Sequence, residues 1–287
     1  MLGFLLFVGF SLHLGCSSNT PVENEHTNVV PLQDGIEQQL QKESKQGDSK
    51  TIDPLSDRIK QDILSPSPLE TQKTLREAGI TTSLHELVQG QDYDFTDNSR
   101  EQAAIRVGVQ LCDLIVSIDH ASKEDILNRF SNIIEGMAAM KVGPGLMDMV
   151  KDMHTRYTND AMTKQEIVEG LDNIAAMSVP EDGFAKDDPT GPLLQAGAWL
   201  EGVNLVTKAI LKEGKMDVAN KLLRLEHVAV YFLQYANGEG KEKTTEQILI
   251  QMRNSLTYLQ TLAKKETIEK ADLEQAIVET EKMLSFL

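Results

Sequence analysis

Three acidic or basic residues stand out because they interrupt otherwise apolar stretches. Arg106 and Asp113 lie seven residues apart, two turns, on one face of the expected Ala104 to Ile118 helix. Glu201 breaks the run Trp199-Leu200-Glu201-Gly202-Val203. An ionised side chain inside a core is costly unless it is paired. The plainer reading is a structural ion pair, or exposure at the helix edge. The sharper one is a polar cleft between two halves of the protein, with Trp199 and the neighbouring glycines as its apolar wall and Arg106, Asp113 and Glu201 as its polar groups. His227, beside Glu226, is a further candidate, although a lone histidine is more often a satisfied structural residue than a ligand.

The search for familiar catalytic arrangements is negative. Thr82, Ser117, Lys151 and Arg224 stand three residues before His85, His120, His154 and His227, so the helical region lacks the Glu-x-x-His pairs of di-iron bundles. His85-Glu86 is followed by Gln89 where a zincin needs its second histidine. Gly-x-Ser-x-Gly, Cys-x-x-Cys-His and phosphate-loop patterns do not occur, and Gly238-Glu239-Gly240 lacks a preceding strand and a third glycine. The acidic stretch Ser178 to Thr190 does not alternate its oxygen ligands as an EF-hand does, and reads as a solvated loop. The expectation is a protein that is not an enzyme, with no cofactor and no metal.

Composition narrows the partners. The 287 residues carry 28 Lys and Arg against 44 Asp and Glu, a formal net charge of -16. Such a surface offers no basic face to nucleic acid and is repelled by anionic headgroups, so membrane attachment has to be covalent or hydrophobic. The two cysteines bear on this directly. Leu2 to Gly15 is a mostly apolar run too short for a helical span, which needs about 20 residues, and residues 1–15 read as an export signal. Leu14-Gly15-Cys16-Ser17-Ser18 looks like the lipobox of bacterial lipoproteins, in which the Cys16 thiol is acylated. His13 replaces the usual leucine, and Met1-Leu2-Gly3 lacks a basic start. Residues 16–66 then form the lipidated cysteine and a polar tether, interrupted by Pro21, Pro31, Pro54 and Pro66, with a reach of roughly 40 Å. Cys112, left alone in the mature chain, reads as a small buried hydrophobe.

The remainder, 67–287, is expected to be all-α. Aromatic content is 5% with 11 Met, a composition suited to an aliphatic helical core. Residues 67–98 form an arm with a short helix from Ser67-Pro68 to Gly79 and a segment near Leu84 to Val88. Apolar residues at spacings of three and four then predict about eight main helices, four in 99–177 and four in 190–287, including one unbroken helix from Asp217 to Gly238. Ser122 with Asp125 and Thr163 with Glu166 are capping pairs. Val107-Gly108-Val109-Gln110-Leu111 echoes Ala196-Gly197-Ala198-Trp199-Leu200, which suggests two related four-helix halves meeting at glycines.

The motifs Ser67-Pro68, Leu75 to Gly79, Tyr93, Ala104 to Val109, Asp113-Leu114 and Gly197 to Gly202 resemble a family of uncharacterised bacterial helical envelope lipoproteins, over roughly Pro66 to the C-terminus. The resemblance implies a lipid anchor and an all-helical body, and no activity. The expected function is therefore a non-catalytic interaction module. It would be anchored to the membrane through lipidated Cys16, face the periplasm or cell surface, and contact another envelope protein. In a cell with two membranes, Ser17 suits the outer one. The alternative is a small-molecule-binding bundle with a cleft near Trp199 and Glu201.

Overall fold

The structure, a computed structural model, describes residues 68–89, 94–96, 98–177 and 188–286. The export signal, Cys16, the tether and residues 178–187 of the acidic stretch lie outside the described residues. Among the described residues every regular element is helical. Helix α1 (Pro68–Glu77) and a 3-10 turn (Leu84–Glu86) precede α2 (Arg100–Ser117), α3 (Lys123–Met140), α4 (Pro144–Thr158) and α5 (Lys164–Met177). After residue 187 come α6 (Thr190–Glu213), α7 (Met216–Leu222), α8 (Glu226–Asn237), α9 (Gly240–Lys243), α10 (Glu246–Ala263) and α11 (Lys270–Ser285).

The helix starts follow from local chemistry. Ser99 and Gln102 close a reciprocal capping box on α2, and Ser122 with Asp125 does the same for α3. Pro144 opens α4 behind Gly143. Glu166 accepts from the Thr163 N–H at 2.7 Å and from its hydroxyl at 2.9 Å, starting α5. Ahead of α6, Asp188 accepts from the Thr190 N–H at 2.9 Å, and Pro189 stands at the N-cap. At the far end of α6, Gly214 adopts φ +68°, a left-handed stop that costs a residue without Cβ little.

Among the described residues, helices α2 and α6 make the most extensive contact between elements. From Ala103 to Ser117 every α2 side chain except Arg106 is buried, as expected of a helix apolar on all sides. Against α2 pack α1, α3 and α5; against α6 pack α7, α8 and α11, with α10 closing over α8 and α11. One continuous core runs through all of them, and Met137, Met140, Met252 and Met283 are wholly buried in it.

The expected helix from Asp217 to Gly238 is two helices. The chain breaks at Leu223–Leu225, where Arg224 Nη2 donates to the carbonyls of Lys265 at 2.8 Å and Glu266 at 2.6 Å. Asn220 Oδ1 accepts from the Ile268 N–H at 3.1 Å on the same connection. Docking onto the α10–α11 turn satisfies those loop groups, and this outweighs continuing the helix. No helix among the described residues is long and apolar enough to cross a membrane.

Candidate functional site

The polar residues of the central helices fall at matching intervals. Gln110, Asp113 and Ser117 occupy positions i, i+3 and i+7 of α2; Glu201, Asn204 and Lys208 occupy the same positions of α6. Each trio therefore forms a stripe along one face of an apolar helix. Five of the six are buried or nearly so, with Gln110 at 4% exposure, Asp113 at 5% and Glu201 at 6%.

The glycines decide how these stripes meet. A Cβ on Gly108 would lie 2.0 Å from the Leu194 carbonyl oxygen, and one on Gly197 would lie 2.2 Å from the Ile105 carbonyl oxygen. Each glycine thus presses on the carbonyl three residues before the other. Arg100 Nη2 meets Asp188 Oδ2 at 2.8 Å near the two N-termini, and Asp113 faces Glu201 beyond the glycines. Contacts advance in the same direction along both helices, so α2 and α6 run parallel through this crossing.

Asp113 and Glu201 are consequently two carboxyls in one buried place. Burial pushes the Asp113 carboxyl well up, and the Glu201 charge adds to it against the opposing pull of Arg129 and Lys208. Burial likewise lifts Glu201 to about 7, with Glu281 adding to the rise. Asn204, Lys208 and the Asp113 carboxyl, which donates to Glu201, all work the other way. The pair therefore shares a proton near neutral pH, as adjacent buried carboxyls must. Asp113 Oδ1 has no hydrogen-bond partner among the described residues. Asn204 Nδ2 donates to Glu201 at 3.4 Å, and Thr280 Oγ1 of α11 donates to Asn204 Oδ1 at 3.3 Å.

Two cavities flank this pair. One, of about 400 Å³, lies between α2, α6 and α11, with Asp113 and Glu201 at its base and Val109, Val278 and Leu284 among its walls. Lys208 pairs with Glu281 at 2.8 Å on its margin. The other, of about 380 Å³, lies between α2, α3 and the 3-10 turn, and is lined by Gln110, Asp113, Ser117, Asn128, Arg129 and Asn132. His85 and His120 also border it, their rings stacked with centroids 3.8 Å apart. Neither the Nε2 nor the Oε1 of Gln110 has a partner among the described residues. A buried amide so placed costs about 1–3 kcal/mol unless something fills its hydrogen bonds.

The expected grouping of Arg106, Asp113, Trp199 and Glu201 is thus only half present. Seven residues place Arg106 and Asp113 on one face but roughly 10 Å apart along the axis. Arg106 Nη1 turns outward to the Asp94 carbonyl at 2.7 Å, while Asp113 faces α6. Trp199 and Glu201 are two residues apart, about 200° around the helix, and cannot share a wall. Trp199 packs half-buried beside Phe232, with centroids 5.9 Å apart. The apolar wall expected from the glycines is also absent: Gly108 and Gly197 leave no space between backbones, and Gly202 has nothing within 4 Å. His227 lines neither cavity, and no group of three or more potential metal ligands occurs among the described residues. Cys112 is buried at 2% exposure, and burial followed by the Asp113 and Glu201 charges holds its thiol well above the usual range.

Sequence reasoning missed Gln110, Asn204 and the α3 residues. The signal was the shared i, i+3, i+7 spacing of polar residues in two apolar helices. Compared with known proteins, the chain matches no protein family, no curated protein and no solved structure.

Proposed function

We propose that this chain is a non-catalytic helical module, held at a bacterial envelope membrane through lipidated Cys16, that binds a small polar molecule beside Asp113. One observation carries the binding reading. The Gln110 amide and Asp113 Oδ1, both on α2 and both buried, have no partners among the described residues and border a cavity large enough for a small ligand. A partner-binding surface has less support. Among the described residues the exposed large hydrophobics are Ile250 and Val278, each at 43%, too few for an apolar docking patch. The anchor rests on the order Leu14-Gly15-Cys16-Ser17, and the absence of catalysis on the motif search.

The reading is tested by thermal unfolding of the full chain against a library of uncharged and charged polar metabolites. A ligand should raise the Tm of the wild type and lose that effect in Gln110→Leu. A library without a single hit would refute the binding reading. Separately, Cys16→Ser should abolish acyl labelling and move the protein to the soluble fraction; continued acylation of that variant would refute the anchor.

A further inference from the structure

We infer that the cavity between α2, α3 and the Leu84–Glu86 turn is a saccharide site, with Gln110 at its floor and Asn128, Arg129 and Asn132 along its α3 wall. This rests on the ligand-binding reading above and gives it a chemical class. The first consideration is charge. Asp125 Oδ2 is engaged by the Ser122 N–H at 3.3 Å and the Ser122 hydroxyl at 2.7 Å. Arg129 acts electrostatically on both Asp113 and Asp125. Burial and the neighbouring His120 ring keep His85 below the ordinary histidine range. The cavity thus sets one cation, Arg129, beside the carboxyls of Asp113 and Asp125, and holds no cluster of one sign that would select an ionic ligand.

What the cavity offers instead is hydrogen bonding in both directions. Gln110, Asn128 and Asn132 each present a donor and an acceptor, and Ser117 presents a hydroxyl that serves as either. These groups stand on two facing walls, since Gln110 and Ser117 belong to α2 while Asn128 and Asn132, one turn apart, belong to α3. A flat amide or base would satisfy one edge only. A pyranose carries hydroxyls around its whole rim, and each hydroxyl both donates and accepts. The stacked His85 and His120 rings, inclined by only 13°, add a flat aromatic surface suited to the C–H face of such a ring. Gln110 is the independent sign that a ligand is expected, because the residue is 4% exposed and neither polar atom of its buried amide is partnered among the described residues.

The experiment is calorimetric titration of the full chain with glucose, galactose, N-acetylglucosamine and maltose, with putrescine and glutamate as charged counter-probes. At least one saccharide should bind saturably, and Gln110→Leu and Asn132→Ala should each weaken it about ten-fold or more. Should Gln110→Leu fail to fold, Asn132→Ala, at a half-buried position, carries the test alone. Saccharide binding that survives both substitutions overturns the site. Binding of putrescine or glutamate in place of any saccharide overturns the class and leaves the ligand-binding reading standing. A complete absence of binding, with the metabolite library also silent, overturns both.

Discussion

Gly108 of α2 and Gly197 of α6 sit backbone against backbone, each occupying the place where a side chain would meet a carbonyl of the other helix, that of Leu194 or Ile105. The relation is reciprocal, and the two glycines are the equivalent positions of the sequence echo between 107–111 and 196–200. Their contact sets both the distance and the register of the central helices. Four to five residues further on, that register brings Asp113 opposite Glu201. Without so close a crossing, the carboxyls could remain separately solvated.

Alanine at Gly108 or Gly197 is therefore expected to destabilise the fold by about 1–3 kcal/mol or more, because a backbone carbonyl cannot give way as a side chain can. Gly202→Ala in the same helix, with nothing within 4 Å of its added Cβ, should instead stabilise by about 0.5–1 kcal/mol. Urea unfolding of the three variants checks this. Equal effects at Gly197 and Gly202 would contradict the crossing.

The carboxyl pair should make stability fall as pH rises. Glu201 goes from an ordinary 4.5 to about 7 in the fold, so the folded state holds the proton more tightly. Its contribution is fully present below about pH 4.5 and is lost as pH rises through about 7. Asp113 and Cys112 face it from α2, Lys208 and Asn204 from its own helix and Glu281 from α11, while Arg129 of α3 acts on Asp113. Glu201→Gln, which mimics the protonated form, should match the wild type near pH 5 and exceed it by on the order of 1–3 kcal/mol at pH 8. Melting curves at the two pH values decide the matter, and a difference that does not change with pH would count against the shared proton.

One carboxylate gathers four hydrogen bonds from the arm, whose Leu75, Ile80 and Leu84 are buried in the core and whose Glu86 pairs with Lys212 at 3.2 Å. Glu213 Oε1 accepts from the N–H and hydroxyl of Thr81 at 3.1 and 2.7 Å, and from those of Thr82 at 2.8 and 2.9 Å. Lys215 Nζ donates to the Gly79 carbonyl nearby. The hydroxyls and N–H groups hold Glu213 down to about 2, so its contribution is present above the ordinary 4.5 and disappears as pH falls toward 2. Glu213→Gln should loosen the Thr81–Thr82 link at neutral pH, seen as faster amide exchange at those two residues, while the amides of α1 and α2, held by buried Leu75, Ile80 and Leu84, stay protected.

Trp199 reports on the other side of α6. Half-buried beside Phe232 and directed away from Glu201, it should be partly quenched by iodide. Its emission should not move when a ligand fills either cavity. A clear ligand-induced shift would place the site on the α8 side.

The all-helical fold was legible because it depends on neighbours in sequence. Apolar spacing of three and four and the Ser122–Asp125 and Thr163–Glu166 caps are local properties, and the helices start where those residues put them. The glycine echo likewise marked Gly108 and Gly197 before their contact was visible. The break at Leu223–Leu225 was not legible, since Leu222, Leu225, Val228 and Phe232 keep helical spacing and the cause lies in distant carbonyls at Lys265 and Glu266. The same limit applies to the site. Sequence spacing says which face of a helix a residue occupies, so it could nominate Asp113 and Glu201 as polar residues needing a partner. Which partner each one met was decided by the depth and direction of the α2–α6 crossing. That crossing joined the two carboxyls, while Arg106 met Asp94 before α2, Trp199 met Phe232 on α8 and Gln110 faced a cavity. The Asp113–Glu201 pairing depends on helix axes brought together across about 90 residues of chain, and a 3.6-residue period carries no information about it.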